Sequence, residues 1–237
     1  TELVKLKSEE KFRREFIGNL AHELKTPIFS IQGYILTLLE GGLEDSSVNK
    51  KFLKRASKGV ERMNKIIMDL DMISRFESDR INMDFRENNI VEICEEIIES
   101  LELKAKEYST VLRLAKNYDN PILVNCDKDK IGQVIQNLLI NAIKYSKKNS
   151  EVIIRFTDVE SNLLIEVEDN GLGINESHIN RLFERFYRVD KSRARNEGGT
   201  GLGLSIVKHI IEAHGHNVQV RSTEGEGSTF FFTLTKI

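Results

Sequence analysis

The chain has 237 residues, 40% of them hydrophobic and 30% charged, with 35 Lys and Arg against 37 Asp and Glu and a formal net charge of -2. That length suits one large domain or two modest ones, and the composition builds packed cores and excludes wholesale disorder. Near-neutrality without a long basic run argues against nucleic acid as a partner, and no apolar stretch approaches the roughly 18 residues of a membrane span.

The first ~80 residues read as two long helices, roughly 8–40 and 47–78, joined by the turn "GGLEDSS". In the first, Phe16, Leu20, Leu24, Ile28, Ile31, Ile35 and Leu38 form an apolar stripe. In the second, Phe52, Ala56, Gly59, Met63, Ile66, Leu70 and Ile73 follow spacings of 4, 3, 4, 3, 4, 3, a heptad seam. Two such seams call for a partner, and a dimer closing a four-helix bundle supplies one. The alternative is that they pack on the second half of the same chain. The chain begins at Thr1 without a methionine and shows no signal peptide, as expected of a piece excised from something longer.

Within the first helix lies "AHELKTP", residues 21–27. His22 stands beside Glu23, and Thr26 lies one turn later on the same face. Pro27 removes a backbone donor and should bend or loosen the helix there. A metal ligand, a structural helix histidine and a reactive histidine all fit this stretch taken alone. A zinc-protease site lacks its second histidine, since "HELKT" is not HExxH.

From about residue 81 the period changes. Strand-like runs appear at "VLRLA", "PILVNC", "EVIIRF", "LLIEVED", "NVQVRS" and "TFFFTLT", with helical stretches near 89–107, 129–147 and 203–214. The mix predicts helices covering one face of a mixed sheet. Cys94 and Cys126, far apart and outside any CxxC pattern, read as reduced core residues of a cytosolic-type protein. Gly171 to Gly201 bound a long polar segment that suits a moving loop.

Three patches carry chemistry. In "QVIQNLLINAIKYS", Asn137, Asn141 and Lys144 fall at i, i+4 and i+7 on one helix face. Their amide oxygens suit Mg²⁺ when phosphate supplies further ligands, and Lys144 offers a point charge to phosphate. "EVEDNGLGI" places the carboxylate of Asp169 at a strand end before Gly171 and Gly173, where it could accept from an exocyclic amino group such as that of adenine. In "EGGTGLGLSIVKHIIEAHGH", Gly198, Gly199, Gly201 and Gly203 lead into an apolar helix, a pattern able to cradle phosphate at a helix N-terminus.

Together, and in this order, these patches resemble the GHKL ATPases, and within them the bacterial two-component sensor histidine kinases. "QNLLINAIKYS" resembles their N box, "DNGLGI" the G1 box, "RLFERFYRVD" the F box and "GGTGLGLSI" the G2 box. "GEGSTFFF" is similar to their final glycine-containing motif and "AHELKTP" to their H box. The resemblance covers about residues 12 to 237.

It implies an α+β fold of two domains. Residues 1–80 would be a dimerisation and phosphoacceptor hairpin forming a dimeric four-helix bundle, and 81–237 an α/β sandwich of the GHKL (Bergerat) ATPase type. It implies ATP and Mg²⁺ as cofactors, and autophosphorylation of His22 followed by transfer to an aspartate on a separate response regulator. By the same resemblance Glu23 orients the imidazole or takes its proton, and Thr26 orients a water for dephosphorylating the regulator. Asn141 ligates Mg²⁺ with Asn137 beside it, Lys144 and Arg188 approach the phosphates, and Tyr145 packs near the ribose or base. Asp169 receives the adenine amino group with Thr229 helping through water. Gly171 and Gly173 let the nucleotide approach, while Gly199, Gly201, Leu202 and Gly203 shape the phosphate cradle. His178, His209, His214 and His216 read as surface or packing residues. The chain would be the cytoplasmic portion of a parent anchored in the inner membrane by upstream segments, with signals entering through the helix containing Leu3, Val4 and Leu6. An ATPase of the gyrase, mismatch-repair or chaperone type and a nucleotide-binding scaffold are the competing readings, and the destination of the γ-phosphate separates them.

Overall fold

The computed structural model describes residues 2–77, 82–189 and 199–237, with side chains at Glu10 and from Arg14 onward. The domain boundary expected at 80–81, part of the glycine-bounded loop, and the side chains of Leu3, Val4 and Leu6 lie outside the described residues.

Helix α1 (Glu2–Thr37) and helix α2 (Asn49–Glu77) form a hairpin. A π-helical turn over Leu38–Gly42 starts the reversal, with Gly41 at φ +114, a conformation glycine adopts without penalty. Asp45 then accepts from the amide and hydroxyl of Ser47 at 2.9 and 2.6 Å, closing an Asx turn before α2. Helix α1 continues through Pro27, which is buried, although Pro27 withdraws the donor owed to the Glu23 carbonyl. Beside it, Thr26 Oγ1 donates to the His22 carbonyl at 3.3 Å.

The heptad seam of α2 is occupied differently from the expectation. Its upper part closes the hairpin itself: Phe52 stacks on Tyr34 at 5.7 Å between centroids, and Ile31 packs so closely on Gly59 that a Cβ there would lie 2.7 Å from it. Its lower part packs on the second half of the chain, where Ile73 joins the main core with Leu70 and Phe76 against it. What stays exposed is a neighbouring stripe of Leu53, Val60 and Ile67, spaced by sevens and 54%, 47% and 53% accessible.

The second half is an α/β sandwich. Strand β1 (Arg86–Asn89) pairs antiparallel with β3 (Leu123–Cys126). The main sheet has the order β2-β4-β5-β7-β6, from β2 (Thr110–Leu114), β4 (Ser150–Val159), β5 (Asn162–Asp169), β6 (Val218–Thr223) and β7 (Gly227–Thr235). Only β2 and β4 are parallel; the other pairs are antiparallel. Helices α3 (Ile90–Glu107), α4 (Lys128–Lys144) and α6 (Gly203–Ala213) pack on the sheet, and a single turn, α5 (Glu176–Ile179), lies in the loop after β5.

Helix α4 shows why the sequence folds this way. Asp127 caps it, accepting from Lys130 N at 3.1 Å, and also accepts from Asp84 N at 3.1 Å, which ties down the chain arriving from α2. Ile131, Val134, Ile135, Leu138, Leu139 and Ile143 recur at helical spacing and are all at most 1% exposed. Each such burial contributes roughly 1.5–3 kcal/mol before entropy is counted. The opposite face is thereby fixed toward the cavity described next. Cys94 and Cys126 are free and fully buried, as expected; burial pushes the Cys126 thiol up to about 11 and Cys94 higher still.

Candidate active site

A cavity of about 520 Å³ opens between α4, the end of β5, α5, the start of α6 and the β6–β7 turn. That is the size range of small-molecule and cofactor sites. Asn137, Asn141 and Lys144 all line it, so the i, i+4, i+7 spacing does what was expected. Asn137 Nδ2 is buried with no hydrogen-bond partner among the described residues. An unpaired buried donor costs about 1–3 kcal/mol, a cost that an acceptor oxygen brought into the cavity would relieve. Tyr145, the residue closing α4, lines the wall beside them.

Asp169 sits at the end of β5 and lines the cavity. Its Oδ1 accepts from Gly171 N at 2.8 Å, and the Ser228 amide also donates to it. Burial pushes its carboxyl above the usual carboxylate range, against the pull of those two amides. The sign of the consequence is fixed. The ionised form would accept from an exocyclic amino group such as adenine's, so if Asp169 holds one, that affinity should fall as acid protonates Asp169, beginning at higher pH than for an ordinary aspartate. Its contribution to folding runs the other way: it is fullest below the unfolded pKa and is lost as pH rises through the folded one. Titrating adenosine from neutral to mildly acidic pH, with Asp169→Asn as the reference, measures this. An affinity that stays flat through that range would show that Asp169 does not bind the base.

The glycines divide by what surrounds them. A Cβ on Gly171 would meet Tyr145 O at 2.5 Å and Asp169 Oδ1 at 2.7 Å, so this glycine lets backbone pack on backbone rather than a nucleotide approach. Gly173 lines the cavity at φ +66, where a Cβ would lie 1.9 Å from Thr223 O. Gly199, Gly201 and Gly203 line the cavity where α6 begins, 3.8 Å separating a Gly199 Cβ position from Lys144 Nζ.

Three further expectations need correcting. Leu202 is fully buried as the residue preceding α6 and lies beneath the cradle instead of in it. Thr229 pairs with Glu168, on the sheet face away from the cavity, whereas Ser228 lies directly opposite Asp169 and lines the wall. A strand's side chains alternate, so one residue of register exchanges these roles. His178 is no mere surface residue: it lines the cavity, its Nδ1 2.6 Å from the Tyr187 hydroxyl.

The hairpin reaches this site. Arg188 lines the cavity, has a side chain that is 8% exposed, and donates to Glu23 Oε2 at 2.8 Å and to the Gly199 carbonyl. Arg62 of α2 donates to the same Glu23 oxygen at 3.1 Å. His22, next to Glu23, is exposed, with Thr26 one turn along. Phe16 packs on Phe186 at 5.7 Å and Phe76 stacks on His209 at 6.0 Å, fastening the two halves together. One arginine thus spans from the rim of the cavity to the residue beside His22. Sequence spacing gave no sign of Lys65, an α2 residue that also lines the cavity.

Residues 12–79 match the model of the His Kinase A (phospho-acceptor) domain, and residues 126–236 that of the histidine kinase-, DNA gyrase B- and HSP90-like ATPase. The chain is 38% identical over 229 residues to the sensor protein kinase WalK of Staphylococcus aureus, covering 95% of this chain and 54% of that protein. It thus spans about half the length of that curated relative. Among solved structures it is similar to the histidine kinase AdeS of Acinetobacter baumannii, with TM-score 0.73, 26% identity, and 90% of this chain and 97% of that one covered. It is also similar to the histidine kinase ThkA in complex with the response regulator protein TrrA, with TM-score 0.74, 25% identity, and 100% of this chain and 67% of that one covered.

Proposed function

Because the chain belongs to the sensor histidine kinases, joining a phosphoacceptor hairpin to a histidine kinase-type ATPase fold, we propose that it phosphorylates His22 from ATP and passes the phosphoryl group to an aspartate of a separate response regulator. The observation that carries this reading is Arg188, which joins Glu23, the neighbour of His22, to the glycine end of the cavity.

Asp169 would hold the adenine amino group, with Ser228 beside it in place of Thr229. Asn137 and Asn141 face the phosphates, Asn141 holding Mg²⁺, which neutralises phosphate charge when bound. Lys144 and Arg188 supply the fixed positive charge. A ring nitrogen of His22 forms the new N–P bond as the bond to the β–γ bridging oxygen breaks, and the ring gives up its proton. Glu23 is the nearest carboxylate in sequence to take it, once released from Arg62 and Arg188. Phosphoryl transfer depends mainly on such positioning and charge.

The rest of the reading follows from the hairpin. The exposed stripe of Leu53, Val60 and Ile67 would meet a second copy, completing a four-helix bundle. The division into two domains would fall at 80–81. No described helix is long and apolar enough to cross a membrane, and membrane attachment of the parent would come from segments outside this chain.

Incubation with γ-labelled ATP and Mg²⁺ tests the proposal. Label on the protein that acid removes, alkali spares and a receiver domain accepts is expected. Steady phosphate release without protein label would put the chain with the ATPases that do conformational work. A phosphatase activity toward the regulator belongs to the same proposal. The exposed Thr26, one turn from His22, would orient a water there once its hydroxyl leaves the His22 carbonyl. Thr26→Ala should leave autophosphorylation within about twofold and slow dephosphorylation of the regulator by at least about tenfold, as loss of an orienting group does. Equal slowing of both reactions would assign Thr26 to the helix alone.

A further inference from the structure

Two residues of α2, one helical turn apart, reach the cavity wall from the hairpin side, one as a lining residue and the other through Thr200, which lines it. Lys65 lines it. Asp69, four residues on and therefore on the same face, is 7% exposed and accepts from Thr200 Oγ1 at 3.2 Å. Thr200 is buried too, and its oxygen accepts from Leu202 N at 3.2 Å. A hydroxyl has one proton to give, so the polarity of this relay is set: Thr200 donates to Asp69 and accepts from Leu202. Leu202 is the residue from which α6 departs, so a carboxylate of the hairpin holds the turn at the phosphate end of the cavity.

Charge at the cavity points the same way. Arg188 is shared with Glu23 and the Gly199 carbonyl. Lys144 comes from the α/β half itself. Lys65 is the one described lining residue that the hairpin supplies. Asp69 lies close enough to be influenced by it: burial raises the Asp69 carboxyl above the usual range, while Lys65 and the Thr200 hydroxyl draw it back. A buried carboxylate is costly to keep, and nothing in the phosphoacceptor chemistry uses this one.

The geometry points to Lys65 as a binding residue for the phosphates of the nucleotide, with Asp69 as the positioning residue that registers it by locking α2 to the turn before α6. This rests on the ATP reading above. Nucleotide binding and docking of the two halves then become one linked equilibrium. A phosphate that uses Lys65 favours the docked arrangement, and loss of the Asp69–Thr200 bond weakens phosphate binding without touching the adenine end.

The test compares a non-hydrolysable ATP analogue with adenosine, which lacks phosphate, on the full chain carrying Lys65→Met, Asp69→Leu or both. Lys65→Met should weaken the analogue on the order of tenfold, the scale of one charge-assisted contact, and leave adenosine unchanged. Asp69→Leu should do the same, and the double variant should be no worse than either single one. Asp69→Asn, which keeps an acceptor for Thr200, should bind the analogue as wild type does and serves if Asp69→Leu does not fold. Analogue binding unchanged in Lys65→Met, equal losses for both ligands, or losses that multiply in the double variant would overturn the inference. A wild-type chain that binds neither ligand would instead overturn the ATP reading beneath it.

Discussion

Replacing His22 by Gln should reduce phosphoprotein formation to background while nucleotide affinity stays within about twofold and stability within about 0.5 kcal/mol, the usual range for surface changes. The reasoning starts from exposure. His22 lies on the solvent side of α1, and no described side chain hydrogen-bonds its ring, so glutamine fits without disturbing the core. It also keeps a planar polar end of similar reach but has no nitrogen lone pair able to attack phosphorus. The cavity is built from α4, β5, α6 and their loops, with Lys65 and Arg188 at its hairpin side, and His22 is absent from its lining. Binding and chemistry should therefore separate cleanly. Filter-bound label after incubation with γ-labelled ATP reads the chemistry, and ADP titration reads the binding. Persistence of acid-labile label on the variant would move the phosphoacceptor to another residue. Simultaneous loss of ADP binding would mean that the hairpin contributes more to the cavity than Lys65 shows.

What the sequence revealed in advance was whatever depends on local period. Helix α4 could be read because its apolar residues repeat at helical spacing behind an acidic cap, and that repeat alone places Asn137, Asn141 and Lys144 on the opposite face. The end of β5 could be read because alternation stops at "DNG". Strand β1 could not: its residues, "RENN", are polar, and they are extended because β3 offers an antiparallel partner, Arg86 opposite Cys126. The α2 seam was visible as an apolar stripe, but a stripe does not say what covers it. Tyr34 and Ile31 cover its upper part and the sandwich its lower part, leaving Leu53, Val60 and Ile67 outside. Thr229 and Ser228 differ by one residue of register, which pairing decides and composition does not. Lys65, Asp69 and His178 reach the site only through tertiary packing, so no spacing within their own segments could mark them.

Gly173→Ala should be the most damaging of the small substitutions at the site, and it separates two uses of glycine. Gly173 has φ +66, and a Cβ there would lie 1.9 Å from Thr223 O and 2.8 Å from Thr223 C, both backbone atoms. A rotamer change cannot relieve that contact, because the obstacle is the end of strand β6. The left-handed backbone costs roughly 1–2 kcal/mol for a residue with a Cβ, and forcing overpacked atoms apart costs typically about 1–3 kcal/mol more. The same clash pushes on the contact between Leu172 O and Gly225 N, now 2.7 Å long, which joins the loop after Asp169 to the β6–β7 turn. Both segments line the cavity. The expected result is therefore a loss of about 2–5 kcal/mol in urea unfolding, together with loss of adenine binding beyond what the lower stability explains. Gly199→Ala is the control. A Cβ there would have only Lys144 Nζ at 3.8 Å, an ordinary contact with the far end of a long side chain, so its ligand-free stability should change by no more than about 0.5 kcal/mol. If the two substitutions cost the same, the close approach of Gly173 to Thr223 is not what holds this wall of the cavity in place, and the shape of the adenine end must then be set by Asp169 and its two amide donors.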